Sequence, residues 1–290
     1  MRLVESVIPK DCKIVIMGCM HSGAANCHWS GIKKAVDRIQ DDEVFGMLNT
    51  GDNIEGKIPN DKHFSRSSID LKRVLITPQE QAEAIVKVMS PVKNKILVWG
   101  RGNHERKIEN TWDAGKEISK MLGVQYGMFN YKFIATDKKG AVRFKIHIHH
   151  GSRNIKSNAK DTIQRRANKE AALRQLYIGT GISDCVLHAG SHWHQQIISP
   201  PPYALERHIG DNGSKITTFT RKPAPQNEDY ISPEQRWVAS VGCFRKTFTQ
   251  PDDMMDDYAE VSMYSGAADL GWTEVEIKDY QVVDVKAVSV

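Results

Sequence analysis

A chain of 290 residues, 40% apolar and 26% charged, is long enough for one large α/β domain or two small ones, with a core of ordinary size. Its formal net charge of +5 suits an anionic substrate but is too small to argue for nucleic acid by itself. Five cysteines with no Cys-x-x-Cys pair, no apolar run near 18 residues and no signal-peptide core exclude a disulfide scaffold and a membrane span. A reducing, cytoplasmic setting is expected.

In chain order, residues 14–17 read as a strand, and Ile32, Ala35, Val36 and Ile39 carry helical spacing. Residues 43–49 form a second strand, and residues 56–73, with Lys57, Lys62, Arg66, Lys72 and Arg73, read as a surface excursion. Pro78 opens a helix through Met89, and residues 95–100 form a third strand. This alternation predicts a mainly parallel sheet with helices on both faces. Residues 131–151 then read as two strands around a Lys-Lys-Gly turn, residues 160–178 as a basic helix, and residues 184–190 as a strand. A hairpin is expected across residues 210–215, and the C-terminus alternates like paired strands. No repeat or linker appears. One domain spanning residues 1–290 is expected, with surface insertions near 56–73 and 199–235.

Polar residues gather where the expected strands stop. The tips carry Gly18-Cys19-Met20-His21, Gly51-Asp52-Asn53, Gly100-Arg101-Gly102-Asn103-His104-Glu105, His149-His150-Gly151 and Gly190-Ser191-His192-Trp193-His194. Ligands of open α/β sheets bind beyond the carboxyl ends of the strands. Five converging tips would assemble a thiol, a carboxylate, an amide and several imidazoles, enough for two divalent metals sharing one carboxylate. By itself Cys19 reads equally well as a buried cysteine.

The ordered set Cys19-x-His21, Gly51-Asp52, Gly102-Asn103-His104-Glu105, His150-Gly151 and Ser191-His192-x-His194 resembles the signature of calcineurin-like metallophosphoesterases, over about residues 13–195. It departs from that signature twice: Cys19 stands where the first acidic ligand is expected, and Ser191 stands for a glycine. The resemblance implies an α/β sandwich of two mixed β-sheets flanked by helices, and two metal ions (zinc, iron or manganese, divalent or mixed-valence) with no organic cofactor. It would place one metal on Cys19, His21, Asp52 and His194, and the other on Asp52, Asn103, His150 and His192. His104 would stabilise the transition state or protonate the leaving oxygen, with Glu55 orienting it. Asn103, Arg101 and Arg106 would contact the substrate phosphate, though either arginine reads equally as a solvated charge. A thiolate at Cys19 keeps a carboxylate's charge but is softer, which favours zinc or iron there.

Bland readings cover much of the rest. Cys12, Cys27, Cys185 and Cys243 read as packing, His188 as structural, and His28, His63 and His208 as surface. His150 is chosen over His149 because it directly precedes the glycine. Trp193 reads as a cleft wall, and the basic stretch 156–176 as a solvated face that could touch a polyanion. The implied activity is hydrolysis of phosphate esters, phosphodiesters foremost, by a hydroxide held between the metals. A nuclease of the DNA-repair type acting on nucleic acid, or a non-catalytic binding scaffold, are the rivals.

Overall fold

Residues of strand β2 (Cys12–Met17) point alternately into two different cores, and this decides the architecture. Val15 and Met17 join a cluster with Ile32, Ile85 and Ile118, while Ile14 and Ile16 join one with Phe133, Phe144 and Leu187. The first cluster lies under helices α1 (Trp29–Gln40), α2 (Pro78–Met89) and α4 (Ala114–Leu122), the last of which follows the short helix α3 (Asn103–Lys107). The second lies between two sheets. The structure is a computed structural model that describes residues 1–57, 69–151, 155–201, 225–247 and 267–290, and residues 204–210 and 213–219 as backbone.

One sheet contains β2 with β3 (Val44–Asn49), β4 (Ile96–Gly100) and β5 (Tyr126–Met128), all parallel. The antiparallel pair β13 (Gly271–Lys278) and β14 (Gln281–Ser289) extends it beyond β2. The other sheet runs in the order β1 (Arg2–Val7), β6 (Asn130–Thr136), β7 (Val142–His149), β8 (Leu187–Gly190), β12 (Trp237–Val241), β9 (Gln196–Ser199). It is mixed as well, with β7, β8 and β12 parallel. Helix α5 (Thr162–Ile178) covers its outer face through Leu173 and Tyr177. Strands β10 (Ala204–Gly210) and β11 (Gly213–Phe219) form a separate hairpin.

The fold is therefore an α/β sandwich of two mixed six-stranded sheets flanked by helices. The expectation from strand–helix alternation alone, helices on both faces of one parallel sheet, is corrected. Only one face of each sheet meets helices, because the opposite faces bury each other. An apolar strand looks the same in either arrangement. Strand β1 was not foreseen, since residues 2–7 alternate only weakly; it pairs parallel to β6 at the sheet edge. Helix α2 starts where Pro78 predicts, after a Thr77 cap whose hydroxyl accepts from the Glu80 N–H while the Glu80 carboxylate accepts from the Thr77 N–H.

Within the stretch 56–73, expected as a surface excursion, Leu71, Lys72 and Arg73 are exposed. Lys57, Ile69 and Asp70 are buried, because Lys57 turns inward onto Glu55 and Asp70 accepts from the Trp29 indole. Its centre, with Lys62, His63 and Arg66, lies outside the described residues, as do the His208 side chain and the acidic stretch 252–257.

Candidate metal centre

Five chain turns put their polar residues at one place, the line where the carboxyl ends of β2, β3 and β4 in one sheet meet those of β7 and β8 in the other. Cys19 and His21 follow β2, Asp52 follows β3, Asn103 and His104 open α3 after β4, His150 follows β7, and His192 and His194 follow β8. The backbone is left-handed at Cys19, His21, Asp52, His192 and His194, with φ of 47°, 51°, 53°, 84° and 52°. Side chains other than glycine rarely adopt this region, and such strain gathers at functional sites. The turns are locked to each other. Gly102 sits so close to Asp52 that an added Cβ would fall 2.0 Å from Oδ1. The buried Glu105 carboxylate accepts from the N–H groups of Gly102, Asp52 and Asn53 at 2.8, 3.2 and 2.5 Å, tying the α3 turn to the β3 turn.

Donor atoms crowd the centre. Asp52 Oδ1 accepts from the His104 N–H at 2.9 Å, which leaves Oδ2 facing His150 Nε2 at 3.1 Å, His21 Nε2 at 3.9 Å and His104 Nε2 at 4.0 Å. His21 Nε2 faces His194 Nε2 at 3.1 Å, and Asn103 Oδ1 lies 2.9 Å from both His150 Nε2 and His192 Nδ1. Cys19 Sγ accepts from the His192 N–H at 3.2 Å. Cys19, His21 and His194 form one set of mutually close donor atoms, and Cys19, Asp52 and His150 another.

The calcineurin-like phosphoesterase family profile matches residues 12–222, most of the chain and every one of these turns. The chain belongs to the calcineurin-like phosphoesterase family. It is thus a metal-dependent phosphoesterase. No curated protein matches it significantly. Among solved structures it is similar to a metallophosphoesterase from Sphaerobacter thermophilus, at 11% identity over 92% of this chain and 84% of that one, with a TM-score of 0.38. It is also similar to a conserved uncharacterised protein, a predicted phosphoesterase, from Streptococcus pneumoniae TIGR4, at 11% identity over 93% and 86% with a TM-score of 0.32. A third is wild-type Vps29 complexed with zinc from Entamoeba histolytica, at 11% identity over 96% and 98% with a TM-score of 0.30.

The donor set of this phosphoesterase fits metal ions. His150 Nδ1 donates to the Thr50 carbonyl at 2.9 Å, so in the neutral ring Nε2 is a lone pair, yet it faces two oxygens, Asn103 Oδ1 and Asp52 Oδ2. A cation between them resolves that conflict. His21 repeats the pattern: Nδ1 faces the Glu55 carboxylate at 3.0 Å, and Nε2 is turned to His194. Burial pulls His21 and His192 down to about 4 and His194 well below its ordinary value, the neutral state that metal binding requires. Burial and the Asp52 charge push the Cys19 thiol well up, so a thiolate there needs a neighbouring cation. Without one, burial lowers the His150 value but the Asp52 carboxylate outweighs it, and the ring is raised overall.

The other predicted residues are placed as follows. Glu55 reaches two histidines at once: its carboxylate meets His21, and its backbone carbonyl accepts from His104 Nδ1 at 2.7 Å. Arg101 is turned away into an ion pair with Glu109 at 2.5 Å and a longer one with Asp113 at 3.4 Å, and Arg106 is exposed. His149, beside His150, packs its ring on Phe129 at 5.4 Å. Ser191 is no gap in the site. Its buried hydroxyl accepts from Thr50 Oγ1 at 2.8 Å and lies 3.1 Å from His150 Nδ1. Sequence reasoning missed Lys57 and Arg245, whose cationic ends lie 3.0 and 3.7 Å from Glu55 Oε1. Lys57 stands two residues from a predicted site residue, which was a usable signal; Arg245 comes from beyond β12, and nothing local marks it.

Proposed function

We propose that the chain is a dinuclear metal-dependent phosphodiesterase. The observation that carries this reading is the convergence of donor atoms of Cys19, His21, Asp52, Asn103, His150, His192 and His194 around Asp52 Oδ2, with His150 Nε2 facing only oxygens. One ion would sit on Cys19, His21, Asp52 and His194, and a second on Asp52, Asn103, His150 and His192. Two divalent ions supply Lewis-acid polarisation of the phosphoryl oxygens and a water acidic enough to attack near neutral pH. Thiolate softness favours zinc or iron at the first position, and manganese also suits the second.

This chain's own residues do the rest. Asp52 Oδ2 supplies the shared carboxylate, held in place by the His104 N–H on Oδ1. The Nδ1 proton of His104 is committed to the Glu55 carbonyl, which aims Nε2 at the site. His104 stabilises the phosphoryl oxygens or delivers a proton to the leaving oxygen from that atom. Glu55 fixes the rings of His21 and His104 and is itself neutralised by Lys57 and Arg245. The Asn103 amide, whose Oδ1 lies against His150 and His192, would contact the phosphoryl oxygens. Arg101 is occupied by two carboxylates, so phosphate contact from it would require that pair to open. With Lys57, Arg101 and Arg245 held by acids, the centre suits a diester's single charge better than the nearly two charges of a monoester.

The test is metal analysis with turnover of bis(p-nitrophenyl) phosphate and p-nitrophenyl phosphate, on wild type, Cys19→Ala and Cys19→Asp. Expected are two metals per wild-type chain, faster diester turnover, near-complete loss in Cys19→Ala, and partial or metal-shifted activity in Cys19→Asp. A metal-free wild type under reducing conditions, or Cys19→Ala with full metal and full activity, sinks the assignment.

A further inference from the structure

Helix α5 buries little of itself. Residues 162–168 are all exposed, Ile163 is 79% exposed, and only Leu173 and Tyr177 are buried. Its first half is therefore not held in place by apolar packing. Thr162, Arg165, Arg166 and Lys169 fall at i, i+3, i+4 and i+7, on one face of the helix. That face, the segment 195–197 and Asp269 enclose an open cavity of about 180 Å³. Liquid water occupies about 30 Å³ per molecule, so a phosphate with its waters fits. The cavity begins one residue beyond His194, and the Asp269 N–H donates to the His194 carbonyl at 2.9 Å, so the groove adjoins the loop that carries His194.

Among the described residues, no carboxylate pairs with the three cations of this face. Arg165 donates to the backbone carbonyls of Ala159 and Lys160 at 2.9 and 3.4 Å, and Lys169 donates to the neutral Gln195 amide at 3.0 Å. Arg166 has no hydrogen-bond or ion-pair partner among the described residues. Among the described residues the one carboxylate lining the cavity, Asp269, accepts from the Gln196 N–H at 2.8 Å, and Glu170 is turned to Ser199. Arg101, by contrast, is neutralised by two acids. Three positive charges facing one carboxylate, next to a phosphoester site, select for an anion.

We propose that this groove binds a second, non-scissile phosphate of the substrate, so that preferred substrates carry a phosphate flanking the ester that is cleaved. The proposal rests on the phosphoesterase reading of the adjoining site. The flanking phosphate can belong to a polynucleotide strand or to a small bisphosphorylated molecule, and the test separates them. Metal-loaded wild type, Arg166→Gln and Arg165→Gln/Arg166→Gln are compared. Turnover is read on bis(p-nitrophenyl) phosphate, which has no second phosphate. Binding is read by anisotropy of a fluorescein-labelled phosphorothioate pentathymidylate, and by its displacement with thymidine 3′,5′-bisphosphate.

In the double variant, strand binding is expected to weaken about ten-fold, and the slope of affinity against salt to fall by about one for each cation removed. Bis(p-nitrophenyl) phosphate turnover is expected to stay within about two-fold. If bisphosphate displacement weakens as much, the groove takes any second phosphate; if only strand binding weakens, it is a track for a polynucleotide. Unchanged binding of both probes, or an equal loss on the single-phosphate ester, overturns the proposal. A wild type that hydrolyses no ester while the binding difference persists leaves the groove assignment standing and removes the phosphoesterase reading instead.

Discussion

Two buried histidine clusters lie a few residues apart in this protein, and they differ in what their nitrogens face. In the interior cluster, on the strands β7 and β8, His147 Nε2 meets Asn130 Oδ1 at 2.8 Å and His147 Nδ1 meets His188 Nδ1 at 3.0 Å. Neutral rings satisfy both contacts: His147 donates to Asn130 and accepts from His188. The backbone there is regular strand. In the rim cluster the contacts cannot all be satisfied by neutral rings, because His150 Nε2, with Nδ1 spent on Thr50, faces only oxygens. The backbone there is left-handed at five of the seven proposed ligands. Burial and residue type are alike in the two places. A ring nitrogen that faces only oxygens, on strained turns, marks the rim, whereas in the interior neutral rings satisfy both His147 contacts and His188 Nε2 has no partner among the described residues.

That contrast can be broken by substitution. The largest effect is expected from Asp52→Asn, which removes the central oxygen's charge. Bound metal measured by elemental analysis should fall, and turnover should drop by more than the about 100-fold that outer partners of a metal site are worth. An Asp52→Asn protein with full metal and activity would erase the distinction between the clusters. His104→Asn should come next, with kcat lowered by about 10² to 10⁴ while metal content and KM stay near wild type, since it handles charge or protons in the transition state.

Glu55→Gln should be milder, weakening metal affinity or turnover by about 10- to 100-fold. Titration with a competing chelator reads it, and Arg245→Gln should move the same quantity in the same direction by less. The smallest effect on activity belongs to the interior cluster. His147→Gln should leave turnover within about two-fold and cost about 1–3 kcal/mol of stability in denaturant unfolding, the penalty for disturbing a buried hydrogen-bonded group. Its pH dependence has a definite sign. Burial, then His149 and Lys132, hold His147 down to about 3, below its ordinary 6.5. The unfolded chain therefore binds a proton that the folded chain refuses, and stability falls as pH drops from about 6.5 toward 3, by up to about 1.4 kcal/mol per unit. Chelator-treated His147→Gln should lose less stability than chelator-treated wild type over that window.

The five polar tips were readable because each follows an apolar run closed by a short turn, and the strands that precede them buried as such runs do. Other parts were not readable. His149 and His150 are adjacent imidazoles, and only the end of β7 turns one toward Asn103 and Asp52 and the other toward Phe129. Lys57 sits in a polar stretch that looks like surface, and its burial depends on Glu55 being within reach. Arg101 carries the charge expected for a phosphate contact, but Glu109 and Asp113 on the following turns claim it.

The sequence by itself determined which residue types stand at the strand tips and in what order. Strand ends, glycines and donor chemistry are local properties, written within a few residues of one another. Alternation alone pointed to one sheet, and the ordered motifs implied the two-sheet sandwich that the fold has. Only the tertiary structure decided that Ser191 supports His150, and that a basic helix face adjoins the His194 loop. Each of those depends on which distant surface a side chain meets, and a chain's local pattern carries no record of the partner across the core.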